Sequence, residues 1–165
     1  MSDLSFNLQQ IDVLEKIRAA KPAKGKIYLV GGAVRDLLDG RSPHDFDFIL
    51  PAGVRVIPLA RSIAKSLQAD FYPLDSERDT GRVILTQGAG ERLFLDFAAQ
   101  RGEDITADLR LRDFTINAIA IDLDYPEQII DPLGGARDIF SKTLRACSEQ
   151  SMLSDPVRAL RGVRM

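Results

Sequence analysis

Between residues 27 and 50 the chain reads IYLVGGAVRDLLDGRSPHDFDFIL, and no other stretch restricts the possible folds so tightly. The apolar run Ile27 to Val30 reads as a strand, and Gly31 and Gly32 follow it at once. Residues 33–39 then read as a short helix closed near Gly40, a residue suited to a helix C-terminus. The RSPH segment turns the chain into a second strand, DFDFIL at 45–50, which Pro51 ends. Side chains alternate across a strand, so Asp45 and Asp47 share one face while Phe46 and Phe48 point into a core.

Two carboxylates at this spacing stand on Cα atoms about 6.6 Å apart. They can converge on a divalent cation, and the strand holds them rigidly. Oxygen-only donors suit Mg²⁺ or Mn²⁺ rather than zinc. Taken alone, the D-x-D pair reads equally as a polar face of an edge strand. The glycine pair adds a second indication. Without side chains, Gly31 and Gly32 let an anion approach the backbone where a helix opens. Neither the G-x-G-x-x-G dinucleotide fingerprint nor the G-x-x-x-x-G-K-[ST] phosphate loop is present. A plain turn is the simpler reading of the pair. Arg35 stands where it can reach a phosphate or brace a carboxylate, and Asp36 reads as a first-turn stabiliser or an arginine partner.

Elsewhere the pattern alternates between helix and strand. Residues 7–20 and 54–68 carry apolar stripes at helical spacing, and 71–74, 82–87 and 92–99 read as strands, the last two joined as a hairpin through GAG. A mainly polar stretch at 101–112 precedes RDFTINAIAIDL, and IIDPLGGARDIFSKTLRACS reads as strand, turn, short helix and strand. A last helix begins near Asp155. The order α-β-α-β-α-β-β-β-α-β-α-β-α implies an α+β (mixed α/β) fold. Asp96 lies in the apolar strand LFLDFAA, where a lone charge is costly unless it is paired or metal-bound. It is the candidate third carboxylate, with a structural salt bridge as the plainer reading.

Bulk composition narrows the function classes. A formal net charge of −2 gives no global attraction to nucleic acid. The single cysteine, Cys147, excludes an intrachain disulfide and a cysteine-rich metal site, and reads as a buried structural thiol. No secretory leader and no apolar run of membrane-spanning length is present, so a cytoplasmic protein is expected. His44, the only histidine, reads as a turn residue. Apolar periodicity continues to the last residues, and the chain is expected to stop inside a helix of a longer protein.

Four segments in order carry a resemblance: GGAVRDLLDGRSPHDFDF, DLRLRDFTINAIAID at 108–122, DPLGGARDI at 131–139 and DPVRALRGVR at 155–164. The chain resembles the tRNA nucleotidyltransferase and bacterial poly(A) polymerase family, over nearly its whole length. That resemblance implies a head domain at 1–150, with a small sheet of about five strands flanked by helices, and the first helix of an all-helical neck at 151–165. It implies that Gly31, Gly32 and Arg35 meet a triphosphate, and that Asp45, Asp47 and Asp96 hold two Mg²⁺ ions. Arg112, Asp113 and Asn117 would contact sugar and phosphates, and Asp155 with Arg158 would read the base. Two positions depart from the family pattern: Leu111 stands where an arginine is common, and Ser154 where a glutamate is.

The expected reaction is transfer of CMP or AMP from CTP or ATP to an RNA 3′ end, as CCA addition, A-addition or poly(A) tailing. Most of the RNA contact would come from regions beyond this chain, leaving the isolated chain weak or inactive. A non-catalytic nucleotide- or RNA-binding module is the rival reading. A metal-dependent phosphohydrolase ranks lower, because His-Asp ligand pairs are missing.

Overall fold

The computed structural model describes residues 12–21, 25–153, 155 and 157–164. Helix α1 (Asp12–Ala20) is the second half of the helix expected at 7–20; residues 7–11 lie outside the described residues. Strand β1 (Tyr28–Val30), helix α2 (Gly32–Leu38) and strand β2 (Asp45–Leu50) follow as the sequence predicts. Helix α3 (Val56–Leu67) leads to β3 (Asp70–Asp75), β4 (Thr80–Thr86) and β5 (Arg92–Ala99). Then come α4 (Ile105–Arg110), a 3₁₀ turn at Thr115–Asn117, β6 (Ala120–Asp122), β7 (Ile129–Ile130), α5 (Gly135–Phe140), α6 (Glu149–Leu153) and α7 (Val157–Arg164).

The strands form one mixed sheet in the order β3-β4-β5-β2-β1-β6-β7. Seven strands replace the expected five. The additional members include β6 and β7, of three and two residues, too short to show an alternating pattern. The strand expected within TLRACS is absent apart from an isolated bridge between Phe114 and Ala146.

Every neighbouring pair runs antiparallel except β2 and β5. That parallel pair is made possible by the crossover through α3 and the β3–β4 hairpin, and its register sets Asp47 directly beside Asp96. One face of the sheet carries the larger core: Phe46, Phe48, Leu95 and Phe97 pack under Leu14, Ile17, Val34, Ile63 and Ala64 from α1, α2 and α3. The Phe48 and Phe97 rings stack with centroids 5.0 Å apart. Burying aliphatic and aromatic side chains here contributes about 1.5–3 kcal/mol each. The opposite face is only partly covered, by Ile105 and Leu109 of α4 against Tyr28, Val30, Ile49 and Ala120. Asp45, Asp47 and Asp96 point to this second face, and α4 leaves their end of the sheet open.

Asp79 secures α3 by accepting from the amides of Val56 at 2.7 Å and Ile57 at 2.9 Å. Cys147 is half-buried, and burial first, then the Asp113 charge, pushes its thiol up to about 11. Among the described residues no helix is long and apolar enough to cross a membrane.

Candidate active site

A cleft of about 670 Å³ opens on the uncovered sheet face. Gly31, Gly32 and Arg35 form one wall, Asp45 and Asp47 the floor, and Arg112, Asp113 and Asn117 the opposite side, while Val157, Leu160 and Arg161 of α7 close one end. Eight of the eleven sequence-predicted site residues thus meet in one place, although they come from separate parts of the chain.

The close approach of the glycine turn explains its composition. Gly31 has φ +75°, a conformation that L side chains rarely adopt, and a Cβ there would sit 3.1 Å from Asp47 Oδ2 and 3.4 Å from Arg112 Nη1. The Asp47 carboxylate is exposed at the cleft yet closely flanked by protein on its other sides. This crowding, assisted by the charges of Asp96 and Asp45, raises its pKa above the ordinary aspartate value, while Arg112 and Arg82 pull the other way.

A polar chain spans the cleft. Arg35 donates through Nε and Nη2 to Asp36 at 3.0 and 2.9 Å, and through Nη1 to Asn117 Oδ1 at 2.9 Å. Asn117 donates in turn to Asp113 at 3.2 Å, and Arg161 Nη1 approaches the other Asp113 oxygen at 3.7 Å. Asp113 also accepts from the Phe114 amide at 2.8 Å, which fixes its direction. Asp138 on α5 anchors the same turn by accepting from the Thr115 hydroxyl and from Arg145. The Thr115 bond, with help from Arg145, holds the Asp138 carboxyl below its ordinary pKa despite burial.

Asp96 behaves differently. Both of its oxygens are taken by Arg82, each at 2.7 Å, in a bidentate fork. Its carboxylate borders a second cavity of about 640 Å³ that shares Asp47 and Arg112 with the first. Among the described residues no three histidine, cysteine or carboxylate side chains converge as a ready-made metal cluster. The donors present are the open all-oxygen pair Asp45 and Asp47. That pair fits Mg²⁺, which takes one or two protein carboxylates and completes its shell with water and substrate phosphates.

Asp155 and Arg158 lie outside the cleft lining. Asp155 accepts from the Val157 amide at 3.1 Å at the start of α7 and stands 3.7 Å from Arg158, whose Nη1 donates to the Ser151 carbonyl at 2.9 Å. Ser154 lies outside the described residues. Leu111, the other departure from the family pattern, is half exposed.

Residues 27–145 match the family described as Poly A polymerase head domain. The chain belongs to that family. As a poly A polymerase head domain it is 42% identical over 137 residues to the CC-adding tRNA nucleotidyltransferase of Geobacter sulfurreducens, covering 83% of this chain and 30% of that protein. It is 40% identical over 139 residues to the A-adding tRNA nucleotidyltransferase of Deinococcus radiodurans, covering 82% of this chain and 29% of that protein. A solved CCA-adding enzyme with ATP superposes with a TM-score of 0.82 at 30% identity, over 99% of this chain and 40% of that one. The head domain therefore spans roughly a third of such proteins, and the mixed sheet and its helices follow the CCA-adding head fold.

One residue of this head domain escaped the sequence reading. Asp108 is fully buried and accepts from Arg112 Nε and Nη2 at 3.2 and 3.1 Å, and from the Arg101 amide and Nε at 2.8 and 3.4 Å. An aspartate in a helical stretch rich in arginine reads as solvated; its burial on Leu109's side of α4 depends on the tertiary packing.

Proposed function

We propose that the whole protein is a template-independent RNA nucleotidyltransferase that adds CMP or AMP to tRNA 3′ ends. The observation that carries this reading is the packing of a side-chain-free turn against a carboxylate pair: Gly31 faces Asp47 across a gap a methyl group would nearly close. A triphosphate seated on that turn lies within reach of cations held by Asp45 and Asp47. The names of the CC-adding and A-adding relatives support the same assignment.

In the reaction the RNA 3′-oxygen forms a bond to the nucleotide's α-phosphorus, the bond from that phosphorus to the β-phosphate oxygen breaks, and pyrophosphate leaves. The hydroxyl proton passes to solvent. Bound Mg²⁺, or Mn²⁺, would lower the pKa of the attacking hydroxyl and offset charge on the leaving oxygens. Asp45 and Asp47 hold the ions, and Asp96 joins them once the Arg82 fork yields an oxygen. Gly31 and Gly32 admit the triphosphate, Arg35 and Arg112 neutralise it, and Asp113 with Asn117 orders the sugar. Asp155 and Arg158 read the base only after α7 turns on its axis, because neither lines the cleft in this structure. The head occupies residues 1–150, the neck begins at 151–165, and the protein works in the cytoplasm.

The test uses the full-length protein with tRNAs ending before the first C, before the second C and before the A, each given CTP or ATP alone. Incorporation on any of these acceptors supports the assignment, and the pattern separates CC-addition, A-addition and full CCA addition. ATP-only tailing of unrelated RNA would mark a poly(A) polymerase. Metal-dependent nucleotide binding without incorporation would mark a non-catalytic module.

A further inference from the structure

Nucleotide, glycine turn and carboxylates account for the first cleft but leave the second cavity unused. It is separated from the first only by Asp47 and Arg112, and it is large enough, at about 640 Å³, for a nucleotide-sized group. Its floor is small and apolar at Ala98 and Ala99, and Arg78 and Arg101 stand at its edge beside Thr80 and Gln100. Arg78 is 85% exposed and only 3.7 Å from a similarly exposed Asp75, a pairing that holds it weakly. Arg101 is 52% exposed, and buried Asp108 fixes its backbone amide and Nε, so its position is set while much of the guanidinium faces solvent.

In phosphoryl transfer the attacking and leaving oxygens lie roughly in line. With the leaving pyrophosphate on the Gly31–Gly32 turn, the attacking oxygen must come from the far side of Asp47. The second cavity lies on that side. Resting on the nucleotidyl-transfer reading, we infer that this cavity receives the 3′-terminal nucleotide of the RNA acceptor, with Arg78 and Arg101 contacting its phosphodiesters. A basic edge on an otherwise acidic chain is how an RNA strand finds one place on a surface of net negative charge.

The experiment uses full-length protein and fluorescently labelled tRNA lacking its terminal CCA. Anisotropy gives RNA affinity as a function of salt, and incorporation kinetics give separate KM values for RNA and nucleotide. The Arg78→Ala/Arg101→Ala double variant is expected to bind RNA roughly tenfold more weakly, with a salt slope lower by about one to two contacts. Nucleotide KM should stay within about twofold of wild type, by the same separation of phosphate from nucleotide contacts. Arg101→Lys should restore most of the salt slope, because a phosphate contact accepts either cation. Unchanged RNA affinity and salt slope in the double variant would overturn the assignment of the cavity. Absence of incorporation by wild-type protein would instead overturn nucleotidyl transfer, and the anisotropy arm would still decide whether the cavity binds RNA.

Discussion

Asp108 offers the sharpest perturbation, because its surroundings fix what its loss must do. Its carboxylate is fully buried and is shared by two arginines, one in each cavity. Asp108→Asn keeps the shape, but its amide turns an NH₂ group toward either the Arg112 fork or the Arg101 amide. Both are donors, so one contact becomes donor against donor. Breaking one side of a buried ion pair costs about 3–5 kcal/mol. Arg112 retains 15% and Arg101 52% exposure, so water partly relieves both, and the lower end, about 3 kcal/mol, applies. With a urea m-value of about 2 kcal/mol/M, the unfolding midpoint should fall by roughly 1.5 M. Domain stabilities of about 5–15 kcal/mol leave the variant folded at low urea. Released from Asp108, Arg112 should also lose its aim into the cleft, so nucleotide affinity measured by titration calorimetry should fall roughly tenfold, a loss of about 1.4 kcal/mol. A midpoint shift worth less than about 0.5 kcal/mol, the scale of an ordinary surface change, together with unchanged nucleotide affinity, would refute the idea that Asp108 organises the two cavities.

Asp47→Asn should raise the thermal midpoint while removing function, because the folded protein already resists the Asp47 charge. Since folding raises that pKa, the penalty is present in full above the raised value, fades as pH falls through it and is gone below about 4, where the unfolded carboxyl is also protonated. The midpoint difference between variant and wild type should therefore be greatest at neutral pH and vanish in acid. Gly31→Ala places a methyl group 3.1 Å from Asp47 Oδ2 at φ +75°, and should cost about 1–3 kcal/mol in urea unfolding as well as weaken nucleotide binding in calorimetry. Gly135→Ala would drive a Cβ to within 2.0 Å of the Thr115 carbonyl oxygen. It should cost about 3 kcal/mol, the upper end for overpacking, and disturb the turn that carries Asn117, which amide exchange across residues 113–119 would detect.

How much of this was legible before the fold was known depended on range. The β1–α2–β2 unit was readable because alternation, a glycine turn and a terminating proline are local signals, and they placed Asp45, Asp47, Phe46 and Phe48 on the faces they occupy. The convergence of Arg112, Asp113 and Asn117 on that unit was not readable from spacing; it came from the family resemblance, since only tertiary packing brings a segment 80 residues away against Arg35. Asp96 shows the limit of residue-by-residue reading. Its strand and face were as expected, but its partner was set by the β4–β5 register, which aligns Arg82 with it and favours the salt-bridge reading in this structure. Arg82 and Arg101, both legible as phosphate candidates, are each drawn to a carboxylate that periodicity does not reveal. The Asp155–Arg158 pair was legible as one helix face, yet the cleft takes Val157, Leu160 and Arg161 from α7 instead.

The central claim is that Asp45 and Asp47 hold the cations that make the Gly31 cleft a nucleotidyl-transfer site. It is tested most directly by Mg²⁺-dependent incorporation of labelled CMP or AMP into tRNA by the full-length protein and its Asp45→Asn and Asp47→Asn variants, with thermal midpoints recorded alongside. The account predicts folded variants whose incorporation falls by about 10²–10³-fold or more, the scale of losing a transition-state charge stabiliser. Wild-type incorporation rates in both variants would contradict it.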